Sequence, residues 1–221
     1  MQNLSRRNLF SLAAAAPLGR AFASVKSASV KGASAQDADP ARTKARQKIQ
    51  EQHLPNVPLI SHEGKEVLFY DDLVKDKIVT VNFFYSKCDE ICPMVMANLV
   101  KVQKLLGDQV GRQIYMYSIT LKPEQDTMDV VRNYRTALGA APGWTFFTGK
   151  VEDIDKIRKG IGFTYPEPAI DRDTSQHIGN VRYGNEPLML WAACPGQAHT
   201  KWVAESFEWM VHPELNRVQK S

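Results

Sequence analysis

Ile78-Val-Thr-Val-Asn-Phe-Phe84 runs directly into Tyr85-Ser-Lys-Cys-Asp-Glu-Ile-Cys-Pro93, and together these residues imply a fold. Ile78 to Tyr85 is a nearly continuous apolar run, the pattern of a central strand covered on both faces. It delivers two thiols, Cys88 and Cys92, into a loop. Pro93 marks the first turn of a helix, where the amide that proline lacks would have no intrahelical partner. A helix starting beside Cys92 turns its free amides and positive dipole end toward that sulfur, which lowers a thiol's pKa. Lys87 adds a positive charge next to Cys88. Strand, dithiol loop and helix in this order make a redox or soft-metal site.

Downstream, Pro93 to Leu106 carries Val95, Leu99, Val102 and Leu106 at the spacing of an amphipathic helix. Gln113 to Ile119 alternates as a strand. A helix begins at Thr127, capped by Asp126 or Thr127. Trp144 to Phe147 is a short strand of core residues, and Val151 to Ile161 another helix. Upstream, Val57 to Phe69 gives two short strands around a turn at Glu63-Gly64. Tyr165 to Asn185 is a long polar stretch holding His177, and long irregular segments in compact domains often carry function. Pro187 to Ala193 and Lys201 to Phe207 are predicted to form a hairpin through Cys194-Pro-Gly196, followed by a short helix and tail from Glu208. The fold class is therefore α/β: a thioredoxin-like sandwich with a central mixed sheet flanked by helices and an N-terminal hairpin extension.

A chain of 221 residues suits one domain with appendages. Its formal charge is +4, but Arg6, Arg7 and Arg20 lie in the first 23 residues, which hold no acid. Removing those three from 28 leaves 25 basic residues against 24 acidic ones, so nothing supports nucleic-acid binding. Ser5-Arg-Arg-Asn-Leu-Phe10 is a twin-arginine pattern, followed by a weakly apolar stretch from Leu12 to Leu18. Ala21-Phe-Ala23 offers small residues at both positions a signal peptidase reads, so cleavage after Ala23 and periplasmic export are expected. The apolar stretch is far short of the roughly 20 residues that span a bilayer, so no stable membrane span is expected in the mature protein. The expected organisation is a signal peptide at 1–23, a tether or arm at 24–53 with a short polar helix from Ala41, and the domain at 54–221.

Cys88 and Cys92 flank three residues, unlike the two of ordinary thioredoxins. That spacing lets both sulfurs face one side of the loop, close enough to pair or to grip one ion. Two thiolates leave a soft metal under-coordinated, and an imidazole completes a trigonal site suited to copper or zinc. His53 lies in the arm, His62 beside the hairpin turn and His212 in the tail. His177 occupies the loop that lies beside the dithiol in a thioredoxin-like sheet. His199 and Cys194 sit at the far hairpin turn, six or seven extended residues from Pro187, roughly 20 Å from the dithiol. Both are therefore poor ligand candidates, and Cys194 is an unpaired turn cysteine. Met94 and Met96, two apart on a helix, face different ways and are read as core packing.

These motifs resemble the Sco/SenC family of copper-binding, thioredoxin-like proteins that assemble cytochrome c oxidase. The resemblance runs from about Pro58 to Phe207. It rests on the Glu63-Gly64-Lys65 hairpin, Val79 to Phe84, Tyr85 to Pro93, Ser118-Ile-Thr-Leu-Lys-Pro-Glu-Gln-Asp-Thr127, Trp144-Thr-Phe-Phe-Thr-Gly149 and the histidine loop. It implies copper as the bound metal, with Cys88, Cys92 and His177 as ligands and the copper-site subunit of a cytochrome oxidase, or another copper protein, as partner. The chain departs from the family pattern at Leu121-Lys122, where an acidic residue usually precedes the proline, and at Ala193-Cys-Pro-Gly196. A soluble exported protein is expected here, whereas most relatives are anchored by a membrane helix.

Two functions follow. One is a metallochaperone handing copper to the binuclear site of an oxidase. The other is a periplasmic thiol–disulfide oxidoreductase, with Cys88 and Cys92 as its redox pair and no metal. Only the first needs His177.

Overall fold

The computed structural model describes residues 40–173 and 179–214. In chain order its elements are α1 (Pro40–His53), β1 (Pro58–Ser61), β2 (Glu66–Leu68), β3 (Ile78–Phe84), α2 (Ile91–Leu106), β4 (Ile114–Thr120), α3 (Met128–Leu138) and β5 (Trp144–Thr148). α4 (Val151–Gly160), α5 (Pro168–Arg172), β6 (Asn180–Asn185), β7 (Leu190–Pro195) and α6 (Thr200–Val211) complete the described chain. The strands form one mixed sheet ordered β2-β1-β5-β4-β3-β6-β7. β3, β4 and β5 run parallel, while β6 lies antiparallel to β3, and β7 to β6. This is the predicted α/β sandwich.

β3 sits where its continuous apolar pattern requires, paired on both edges and buried on both faces. Val79, Val81 and Phe83 face a layer built from Phe69, Leu73, Val74, Ile154 and Ile157. Phe84 faces the opposite layer, where Val95, Leu99 and Val102 of α2 meet Val131 of α3 and Val203 and Phe207 of α6. Trp144, Phe146 and Phe147 are core residues, as their sequence pattern implies.

The C-terminal third differs from the expected hairpin. Asn180–Asn185, expected as part of a polar loop, is a strand on the free edge of β3. Val181 and Tyr183 alternate with polar neighbours, and the buried pair anchors it. Lys201 to Phe207, expected as a strand, lies in α6: Val203, Ala204 and Phe207 are buried at helical spacing, while Trp202 and Trp209 are exposed. The aromatic and β-branched residues suggested a strand, but burial on one helical stripe decided the outcome. The true hairpin is β6–β7, turning at Glu186–Leu188. β7 therefore returns toward the dithiol end rather than leaving it. Val181 pairs with both Asn82 and Cys194, so Cys194 lies two strands from β3, about 10 Å across the sheet. The separation of roughly 20 Å inferred from sequence is incorrect because the turn lies on the other side of that cysteine. Cys194 is a buried strand residue, not a turn residue.

α1 is fastened by a buried carboxylate. Glu186, fully enclosed, accepts from Arg46 Nε at 2.7 Å, Arg46 Nη2 at 2.5 Å, the Tyr70 hydroxyl at 3.0 Å and the Asp76 amide at 2.8 Å. Such a charge is tolerable in the interior because every lone pair it turns inward has a donor. Among the described residues no helix is long and apolar enough to cross a membrane.

Candidate functional site

β3 ends at Phe84, and the chain turns through Tyr85 to Cys88, whose amide donates to the Tyr85 carbonyl at 3.2 Å. α2 begins at Ile91, so Cys88 lies just before the helix and Cys92 in its first turn. Both cysteines are buried. The sulfur of Cys88 accepts the Cys92 amide at 3.4 Å. The Cys92 thiol, the Tyr85 hydroxyl and the Glu90 amide also hydrogen-bond to it. Burial alone would raise the Cys88 pKa, yet these donors together bring it below the ordinary thiol value. Cys92 moves the other way: burial first, then its hydrogen bond to Cys88, pushes it strongly upward. The helix start was expected to activate Cys92. Instead its amides serve Cys88, because Cys92 itself points inward into the core beneath α2.

Three residues around this pair carry no metal-ligand signature in the sequence. Asp126, expected as a helix cap, is buried and reaches back to the dithiol loop. Its carboxylate accepts the Ser86 amide at 3.0 Å, the Thr120 hydroxyl at 2.5 Å and the Ser86 hydroxyl. Thr127 takes the N-cap position without a side-chain cap bond. Lys122 holds its ammonium 4.3 Å from the centre of the Tyr85 ring, close enough for cation–π attraction. Tyr134 stacks on Phe84 with ring centres 4.9 Å apart. Burial and then the nearby Cys92 and Cys88 raise its phenol pKa. The only sequence signal for Asp126 and Lys122 was their place in the Ser118 to Thr127 segment.

Four histidines fall among the described residues. The His53 ring meets the Gly160 carbonyl at 3.2 Å, His212 faces Glu214 at 3.4 Å, and His199 precedes α6. His62 is buried against β5, where its ring nitrogen accepts the Phe146 amide at 3.4 Å. Burial, then Arg135, lowers its pKa. His177 lies outside the described residues. Among the described residues no three His, Cys, Asp or Glu side chains form a metal-binding group. Met96 is buried, with its sulfur 3.3 Å from the Asn82 side-chain amide. Met94, also expected in the core, is instead exposed because it projects from the solvent side of α2.

The chain resumes at Gly179 against the first turns of α2. A Cβ at Gly179 would stand 2.7 Å from Ile91 Cδ1 and 3.0 Å from Val95 Cγ2, and its φ of +58° is left-handed. Its carbonyl accepts the Gly196 amide at 2.8 Å. The Asn98 side chain donates to the Gly196 and Ala198 carbonyls, both at 2.8 Å. The two segments flanking β6 and β7 are thus fixed to α2.

A sequence profile of the family described as SCO1/SenC matches residues 46–187. The chain belongs to the SCO1/SenC family. A candidate copper-binding protein of Stutzerimonas stutzeri is 23% identical over 133 residues, which cover 59% of this chain and 63% of that relative. A second curated relative, Protein sco1 of Schizosaccharomyces pombe, is 26% identical over 110 residues, 50% of this chain and 40% of its own. This chain thus spans under two thirds of either curated relative. The SCO1/SenC lipoprotein of Bacillus anthracis shares the Sco fold at a TM-score of 0.59 and 18% identity, over 73% of this chain and 96% of its own.

Proposed function

We propose that this Sco-family chain carries one copper ion, gripped by Cys88, Cys92 and His177, to the binuclear copper site of a cytochrome oxidase. The observation behind this is the dithiol itself: two sulfurs in hydrogen-bonding contact at the start of α2, with the Cys88 pKa held below the ordinary thiol value by its donors. Thiolates with an imidazole suit copper, and a three-coordinate ion leaves room for a partner's ligand to enter. Gly179 supports His177 as the third ligand. Two residues span at most about 7 Å, and Gly179 touches the helix residues on either side of Cys92. Copper-binding among the relatives is in keeping with this assignment.

Export follows from the twin-arginine pattern and the Ala21-Phe-Ala23 cleavage signal, which would leave a tether from residue 24 that leads into α1 and the folded domain. The lipoprotein relative supports an extracytoplasmic location.

Anaerobic copper(I) titration of the reduced chain against a chromophoric chelator tests the assignment. One copper per chain with sulfur-to-copper charge-transfer bands is expected. Cys88→Ser and Cys92→Ser should lose it, and His177→Ala should weaken it by about tenfold or more. Unchanged stoichiometry and affinity in Cys88→Ser would sink the proposal.

The opposed thiol pKa shifts favour a second activity at the same pair. As a reductase, the Cys88 thiolate attacks a client disulfide and forms a mixed disulfide, releasing one client thiolate. Cys92 then loses its proton and attacks Cys88, which frees the second client thiol. The client gains two electrons and the chain is left with a Cys88–Cys92 disulfide. Disulfide reduction retained in His177→Ala identifies this activity.

A further inference from the structure

On the sheet face opposite α2, a cavity of about 340 Å³ opens between the end of α1, the end of α4 and the β6–β7 hairpin. Ile49, Leu54, Ile161 and Trp191 make it largely apolar, and His53 and Arg182 complete its wall. No acidic residue is among the described residues that line it. Arg182 pairs with Ala193 across the sheet and Gly184 with Trp191, so Arg182 and Trp191 are diagonal neighbours on one face, about 7–8 Å apart. Gly184 is required beneath the indole, because a Cβ there would stand 2.4 Å from Trp191 Cε3.

Two donors at this cavity stand out. Arg182 Nε and Trp191 Nε1 are both buried, and neither has a hydrogen-bond partner among the described residues. Arg182 Nη2 donates to the Gly162 carbonyl, which holds the guanidinium at the cavity wall. Among the described residues Arg182 forms no ion pair. An orphaned buried donor is costly and uncommon, and two of them at one apolar cavity call for a shared acceptor. A permanently charged guanidinium and an indole can only donate, so the complementary group is an anion with two oxygens.

We propose that this cavity binds a small amphipathic carboxylate. One oxygen accepts from Arg182 Nε and the other from Trp191 Nε1, while the hydrocarbon body lies against Ile49, Leu54 and Ile161. The site faces away from the dithiol and is independent of the copper proposal.

Octanoate is the probe, titrated calorimetrically into the full, reduced chain and followed by the indole resonances of tryptophan-labelled protein. The chain has four tryptophans. One indole N–H, absent from Trp191→Phe, should move on saturation. Arg182→Met and Trp191→Phe should each weaken binding about tenfold or more, because each removes a charged or buried donor. Octanol, with the same body and no charge, should not compete, and copper stoichiometry should be unaffected. The proposal fails if octanoate at millimolar concentration moves no indole resonance, if both variants bind it as wild type does, or if octanol binds equally well. The wild-type resonance decides the matter even if a variant folds poorly.

Discussion

The carboxylate of Asp126 closes on Ser86, 40 residues earlier in the chain, accepting its amide at 3.0 Å and its hydroxyl as well. With the Thr120 hydroxyl on the same group, this contact ties the dithiol loop to the end of β4. The site is thus positioned by a residue that touches neither sulfur.

Asp126→Ala leaves the Ser86 donors and the Thr120 hydroxyl unpaired in a buried setting. A loss of about 2–3 kcal/mol is expected by urea unfolding, since these are hydrogen bonds to a charged group. Copper affinity should fall with it, read by anaerobic chelator competition. Stability equal to wild type would show the loop is held elsewhere.

The three cysteines should react in a fixed order. At neutral pH, iodoacetamide labelling mapped by mass spectrometry should mark Cys88 first. Its pKa lies below the ordinary thiol value, so its rate should level off at a lower pH than a free thiol's. Cys92, pushed up, should stay protonated and slow. For stability the signs oppose: ionising Cys88 favours the folded state as pH rises through its depressed pKa, while Cys92 costs stability above the ordinary thiol range. Preferential labelling of Cys92 would reverse the assigned roles.

Gly179→Ala puts a methyl into Ile91 and demands a left-handed backbone of a residue with a Cβ. About 1–2 kcal/mol of stability should be lost, with weaker copper binding because the segment bearing His177 is displaced. Ile91→Val removes the clashing Cδ1 and should recover part of that loss. Additive effects in the double variant would separate the two positions.

Arg158 anchors the start of the same segment. It donates to Asp171 Oδ1 at 2.6 Å and Oδ2 at 2.9 Å, and the Arg158 bonds hold the Asp171 carboxyl down to about 2. Because that value is depressed, the contribution is complete above the ordinary aspartate range and fades as pH falls from about 4 toward 2. Asp171→Asn should flatten that part of the acid-unfolding curve and loosen copper binding at neutral pH. A curve superimposable on wild type would remove the pair from this role.

The elements nearest the chemistry were the most legible. β3, the dithiol turn and α2 follow from a continuous apolar run, a proline and buried positions at helical spacing, all local signals. β6 was not legible because only Val181 and Tyr183 alternate within Asn180–Asn185, and its pairing with β3 spans a hundred residues of chain. α6 was misread because aromatic residues fit either a strand or an amphipathic helix. Asp126 sat where a helix cap belongs, and nothing local tells a cap from a strut to Ser86. The reversed thiol pKa order turned on Cys92 pointing into the core, which spacing alone does not reveal.

Cys194 has one more consequence. Buried beside its cross-strand partner Val181 and pushed up to about 12 by burial, it is silent while the molecule is folded. It therefore serves as an internal clock. Any reagent that reaches it reports the moment the sheet edge opens, on a channel the dithiol cannot contaminate once its own two sulfurs have been blocked.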